Sequence, residues 1–209
     1  MREEEVLYSA PIEEAAGSEE TLQALIEMAK TDTEAAEELA DLYAKGEEFL
    51  QDYEAALYWY GKSRSSTARY RAGSIYLKLE QYEKAEQEFL KGLEAEDSEA
   101  EVYLLLNLGM MYITKNTLPD NPHYDKTITC LERALSLDPT LGRVCAGALG
   151  KAYEGSGRKL QAIHWYKEAA ETFGQIEYKK YLHRLYLTGV AGKAKKLEAE
   201  AVEAMEQKE

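Results

Sequence analysis

Apolar and small residues recur along this chain at spacings of three and four, the period that lines one face of a helix. One pattern repeats: a Leu or small residue, then Gly or Ala, two residues, then Tyr. It occurs as Leu39-Ala40-x-x-Tyr43, Ala72-Gly73-x-x-Tyr76, Leu108-Gly109-x-x-Tyr112 and Leu149-Gly150-x-x-Tyr153, with a weaker fifth copy at Leu182-His183-x-x-Tyr186. A second pattern follows each strong copy: small residue, large apolar residue, small residue. Its members are Ala56/Tyr60/Ser63, Ala85/Phe89/Gly92, Thr127/Leu131/Ala134 and Ala162/Tyr166/Ala169. Small residues let two helices approach closely, and the large side chain fills the space opposite them. Such a pair cannot bury both its faces alone, so neighbouring pairs stack into a continuous core.

The pattern predicts helices near 18–30, 33–45, 52–64, 66–79, 82–95, 98–115, 124–136, 141–155, 159–173, 175–188 and 191–207. Helix boundary signals mark the joins: Asp97-Ser98, Asp138-Pro139, Gly155-Ser156-Gly157 and Gly174. Residues 1–17 are poorly patterned and are expected to form an arm. Residues 18–209 are expected to form one solenoid, because no stretch has linker composition. The helices at 18–30 and 191–207 each carry one apolar face, as end caps of a repeat array do. The first uses Leu22, Leu25, Ile26 and Ala29; the second uses Ala194, Leu197, Ala201, Val202 and Met205. A docking or dimerisation role for the last helix is the alternative.

These repeats resemble the tetratricopeptide family. The second (about 66–99) matches through Ala72-Gly73, Tyr76, Tyr82, Ala85, Phe89 and Gly92, and the fourth through Leu149-Gly150, Tyr153, Gly157, Ala162, Tyr166 and Ala169. The first is similar to the related Sel-one-like repeat, from Tyr43-Ala44-Lys45-Gly46 through Asp52 to Tyr60, with Glu48 where that variant has a second loop glycine. The third has a longer internal loop. The resemblance covers about residues 34–188. It implies an all-α, right-handed superhelix of about 4.5 helix-pair repeats with capping helices.

Charge adds a polarity to this picture. The net charge of the 209 residues is -14. Residues 1–60 alone hold 17 acids and 3 bases, whereas residues 141–196 hold 11 bases and 4 acids. An acidic front and a basic back would steer encounters more than stabilise a fold. The basic segment offers Arg158, Lys159, Lys179, Lys180, Arg184, Lys193, Lys195 and Lys196 for anions, but the acidic total argues against nucleic acid. No apolar run is long enough to span a membrane, and the first residues lack the apolar core of a secretory signal. With only two Cys, a disulfide framework is not expected. A cytoplasmic location is the expectation.

Catalytic signatures are missing from the sequence. His123, His164 and His183 have no ligand spacing with another His or Cys. Cys130 and Cys145 read as buried free thiols. No phosphate loop or nucleophile elbow occurs, so neither an enzyme nor a cofactor is expected.

The family resemblance implies a concave face lined by the first helix of each repeat. On this sequence that face holds Glu37 and Asp41, then Tyr70, Ser74 and Leu77, then Tyr103, Leu106, Asn107 and Met110, then Lys151 and Glu154, and finally Lys180 and Arg184. It would be acidic at one end, apolar in the middle and basic at the other. The peptide-carboxylate clamp of chaperone-binding members is not reproduced, because Glu37, Asp41, Tyr70 and Ser74 stand where Lys and Asn are needed. The expected function is a non-enzymatic adaptor or scaffold that binds a protein, as a peptide or partner helix. The alternative is a self-assembling subunit that joins acidic front to basic back, and a less favoured one is an enzyme with a cleft that the sequence does not reveal. In the third repeat, loop 116–123 with Leu118 at its tip would form either a contact point or a tolerated insertion.

Overall fold

The structure is a computed structural model and describes residues 19–46, 51–114, 118 and 122–187. Within these every regular element is helical. The chain forms two compact units, residues 1–104 and 105–209.

The first unit contains α1 (Glu19–Ala29), α2 (Thr33–Lys45), α3 (Tyr53–Tyr60), α4 (Ser66–Lys78) and α5 (Tyr82–Leu93). Helix α6 (Glu101–Ile113) starts in this unit and carries the chain into the second. The second unit continues with α7 (Tyr124–Leu137), α8 (Gly142–Gly155), α9 (Lys159–Lys167) and α10 (Lys179–Leu187).

Side-chain caps start the helices where the sequence supplies Asp or Ser. Asp32 accepts the amides of Glu34 and Ala35, Asp52 those of Glu54 and Ala55, and Ser65 that of Ala68. One tertiary cap joins distant residues. Asp97 accepts the backbone amide of Ser66 at 2.9 Å and also its hydroxyl, while the Ser66 oxygen accepts the Ala100 amide at 3.0 Å. That network starts α4 from a loop 31 residues away.

The small residues of the repeat pattern mark the helix crossings. The Phe89 ring lies against Gly73 and the Tyr166 ring against Gly150, with no room for a Cβ at either glycine. At Gly109 a Cβ would fall 2.5 Å from Leu131. Phe89, Leu131 and Tyr166 are fully buried. In the first repeat Ala40 takes the glycine position and is also fully buried.

A second repeated feature closes each helix pair. The residue that opens the second helix donates its amide to the carbonyl of the pattern Tyr: Asp52 to Tyr43 at 3.0 Å, Gln81 to Tyr76 at 2.9 Å, His123 to Tyr112 at 2.8 Å and Arg158 to Tyr153 at 2.8 Å. Repeats two and four span this bond with four intervening residues, and repeats one and three with eight and ten. The longer loops are therefore spliced into a fixed hydrogen bond, which is why they leave the helix pairing intact.

Two cores follow. In the first unit Leu22 and Ala29, with half-buried Leu25 and Ile26, seat α1 on Leu39, Trp59, Tyr60 and their neighbours. That is the capping face expected of this helix. In the second unit Leu131, Cys145, Leu149, Ile163, Tyr166, Leu182 and Leu185 form the core.

Several elements differ from the sequence expectation. Helix α3 stops at Tyr60 rather than 64, because Gly61 is followed by a turn leading to the cap Ser65. Helix α6 starts at Glu101 rather than 98. Helix α9 ends at Lys167 and continues as a π-helical turn, Glu168–Thr172, with the backbone reversed at Gly174 (φ 69°). Leu118 is 7% exposed, so it is buried rather than presented at a loop tip. The expected helix 191–207 and arm 1–17 lie outside the described residues.

Candidate functional site

The first helices of the repeats carry the residues expected to bind a partner. Each unit presents its own set.

In the first unit, Glu37 on α2 accepts the hydroxyls of Ser63 at 2.5 Å and Ser65 at 2.7 Å. Asp41, one turn further along, accepts the Tyr60 hydroxyl and pairs with Arg71 of α4 at 2.9 Å. Burial and the Asp41 carboxylate push the Tyr60 phenol well above its ordinary value, so it is a permanent donor. Both carboxylates expected to make an acidic groove are thus engaged by the protein itself.

Helix α4 brings Tyr70, Ser74 and Leu77 onto one half-buried face. Ser74 turns its hydroxyl back to the Tyr70 carbonyl at 2.8 Å. Tyr70 stacks on Phe89 with centroids 6.5 Å apart, and Tyr103 tilts against Tyr70 at 5.5 Å. Phe89 is fully buried, whereas Tyr103 is 53% exposed. The three rings form a ladder from core to surface. Beside it lies an open cleft of about 450 Å³, lined by Asp41, Lys45, Tyr60, Tyr70, Arg71 and Lys78 among others.

In the second unit, Leu106 packs against the core and Met110 is exposed. Asn107 is half-buried. Glu154 on α8 accepts the Tyr166 hydroxyl at 2.9 Å and a guanidinium nitrogen of Arg184 on α10 at 2.7 Å. This is the arrangement of Tyr60, Asp41 and Arg71 again: a second-helix Tyr, a first-helix carboxylate and an Arg from the next first helix. Lys151 and Lys180 both lie over tyrosine rings, of Tyr178 at 5.8 Å and Tyr181 at 5.0 Å. Tyr166, Tyr178 and Tyr181 pack together with centroids 5.1–5.8 Å apart. Tyr178 fits only because position 147 is Gly, since a Cβ there would collide with its hydroxyl. The sequence reading missed both Gly147 and this tyrosine cluster, whose only sequence signal is Gly147 within an otherwise small-residue helix.

The chemistry of the other expected residues is quiet. Burial pushes the thiols of Cys130 and Cys145 up to about 11, so both are protonated at neutral pH and are poor nucleophiles. Among the described residues, no three His, Cys, Asp or Glu side chains converge as a metal site would require. No helix among them is long and apolar enough to cross a membrane.

The fold is an array of stacked helix pairs, similar to that of tetratricopeptide and Sel-one-like repeat proteins. The tetratricopeptide repeat family model matches residues 66–98, which are α4 and α5 with their flanks. Two crystal structures of MamA are similar, both with a TM-score of 0.54. One is 20% identical and the match covers 83% of this chain and 99% of MamA; the other is 21% identical, with coverages of 72% and 79%. The structure of c5321, a protective antigen of uropathogenic Escherichia coli strains with an SLR fold, is 23% identical with a TM-score of 0.53. That match covers 83% of this chain but only 42% of the antigen. No curated relative matches the chain in sequence.

Proposed function

We propose that this protein is a non-enzymatic protein–protein interaction module that holds an extended peptide or a partner helix against the first helices of its repeats. The observation that carries this reading is the Phe89–Tyr70–Tyr103 ladder. A tyrosine fixed from below and 53% exposed above is a rigid apolar anchor with little side-chain entropy left to lose, the kind of residue that dominates binding energies. The fold supports the same reading, since repeat solenoids present long continuous surfaces. Adaptor or scaffold in the cytoplasm is the role that fits.

Selection of extended peptides by display, followed by titration against the wild type and Tyr103→Ala, tests it. Truncation is expected to weaken binding by about 2 kcal/mol, the range of an interface hot spot, with the helical circular dichroism unchanged. Peptides that bind both proteins equally would remove the anchor and with it this reading.

A second reading, a self-assembling subunit, is favoured by one observation: the net charge of -14 over residues 1–60 against +7 over 141–196. Such association would give a mass that rises with concentration and falls with salt, because screening shortens the reach of charges to about 8 Å at 0.15 M. A constant mass in light scattering would exclude it.

A further inference from the structure

We infer that the cleft between α2 and α4 selects an acidic peptide segment whose negative side chains follow or precede an aromatic or aliphatic anchor by about four residues. This rests on the proposed peptide-binding reading and names its ligand class. The cleft lies in the part of the chain richest in acid, yet the groups it offers to a ligand are cationic. Among the described residues Asp41 is its one carboxylate, and Asp41 is occupied by Tyr60 and Arg71. Ser74 spends its hydroxyl on the Tyr70 carbonyl, and Gln51 one of its two amide hydrogens on the Ala44 carbonyl, both at 2.8 Å. The charged groups of the lining not paired with Asp41 are Lys45 and Lys78, beside the ring of Tyr70.

Lys45 and Lys78 hold equivalent places, each five residues beyond the small residue of its repeat, Ala40 and Gly73. Both are exposed and sit in the last turn of their helices. Among the described residues neither ammonium has a carboxylate partner; Lys78 lies 5.8 Å above the Tyr53 ring. Two like charges at the mouth of one cleft, with no free counter-charge among the described residues that line it, set a field that favours an anion. They are separate from the clamp positions discussed above, which Glu37, Asp41, Tyr70 and Ser74 occupy.

The spacing of the ligand follows from the helix. Tyr70, Ser74 and Lys78 lie on one face of α4 over eight residues, which is about 12 Å at 1.5 Å per residue. An extended peptide covers that distance in about four residues at 3.3 Å each. A side chain seated on Tyr70 and Tyr103 therefore places the residues about four positions away beside the lysines. Complementary charge of this kind sets orientation and rate of encounter more than bulk affinity.

The test uses the full chain and a labelled probe peptide, acetyl-Gly-Ser-Phe-Gly-Ser-Ser-Glu-Glu-Gly-Ser-amide, read by fluorescence anisotropy at low salt. Its counterpart has Lys for both Glu. The acidic probe is expected to bind at least about tenfold tighter than the basic one, and the double variant Lys45→Glu, Lys78→Glu to reverse that order. Both sites are exposed, and circular dichroism verifies that the variant folds. Equal binding of the two probes, still lost in Tyr103→Ala, would overturn the charge assignment and leave the peptide-binding reading standing. No binding of either probe, together with no Tyr103-dependent peptide from the display selection, would overturn both. An affinity that rises about tenfold when Glu3, Glu4 and Glu5 become Gln would make the chain's own first residues the occupant and overturn the assignment to a partner. A mass that grows with concentration, and ceases to in the lysine double variant, would do the same in favour of a second copy.

Discussion

Glu80 and Gly157 stand at the same place in their repeats, seven residues beyond Gly73 and Gly150, and both adopt the left-handed backbone conformation, with φ of 57° and 81°. The turn between the two helices requires this geometry, because the next residue, Gln81 or Arg158, must return its amide to the carbonyl of Tyr76 or Tyr153. A side chain in that region costs about 1–2 kcal/mol. Gly157 avoids the cost and Glu80 bears it. Glu80→Gly is therefore expected to stabilise the protein by about 1 kcal/mol, after the greater chain entropy of glycine is set against the relieved strain. Gly157→Ala is expected to destabilise it by a similar amount, for conformational reasons alone, since nothing lies within 4 Å of the added Cβ. Urea denaturation of both variants checks the pair, and equal effects of the same sign would contradict it.

Gly73 differs from Gly157 because its constraint is space. A Cβ at Gly73 would enter the Phe89 ring, which is fully buried and stacked on Tyr70. The ring cannot retreat without breaking that ladder. Overpacking of this type costs about 1–3 kcal/mol, against about 1 kcal/mol gained by replacing glycine within a helix. Gly73→Ala is expected to be destabilising on balance, by about 1 kcal/mol. Adding Phe89→Leu should recover part of the loss, so that the two changes are non-additive. Thermal unfolding of both single variants and the double variant measures the coupling.

These two positions show how far the sequence is legible. Gly73, Gly109 and Gly150, and the aromatic or Leu facing each, were readable as close helix crossings because their spacing repeats with the helix. The helix starts near 33, 52 and 66 were readable from the apolar period, and the structure caps them locally with Asp32, Asp52 and Ser65. The charge of the proposed binding face was not. Asp41 looks like a free acid in sequence, and only the fold brings it to Arg71 and Tyr60, 30 and 19 residues away. For the same reason the front of the chain is acidic by count, while its cleft displays two lysines. Leu118 was misplaced because a proline-rich loop has no periodicity to say which side chain turns inward.

Asp97 makes stability depend on pH. The Ser66 hydroxyl, helped by the Ser66 and Glu99 amides, holds its carboxyl below the ordinary carboxylate range against the opposing effect of burial. The unfolded chain should titrate near about 3.9. Between the folded and unfolded values the unfolded state binds more protons, so stability rises with pH there. The contribution is complete above about pH 5 and is lost as pH falls through the lowered folded value. Asp97→Ala should cost about 1 kcal/mol at pH 7, as other cap deletions do, and the variant should lose less stability than wild type between pH 5 and the acid limit. Denaturant titrations at neutral and acid pH compare the two slopes.

The Tyr166–Glu154 bond separates packing from hydrogen bonding at one residue. Tyr166 is fully buried and its hydroxyl meets Glu154 at 2.9 Å. Burial and the carboxylate acceptor push the phenol above its ordinary value, so the group donates at any pH the fold tolerates. Removing only the hydroxyl leaves Glu154 with the Arg184 guanidinium, which grips both its oxygens at 2.7 Å. No acceptor is stranded. Tyr166→Phe should therefore cost only about 1 kcal/mol, whereas Tyr166→Ala opens a cavity beside Gly150 and Tyr181 and should cost about 3–5 kcal/mol. If Tyr166→Phe proved as damaging as Tyr166→Ala in chemical denaturation, the carboxylate and not the ring would be holding α8 to α9. Gly150 would then be small for some reason other than the ring it faces.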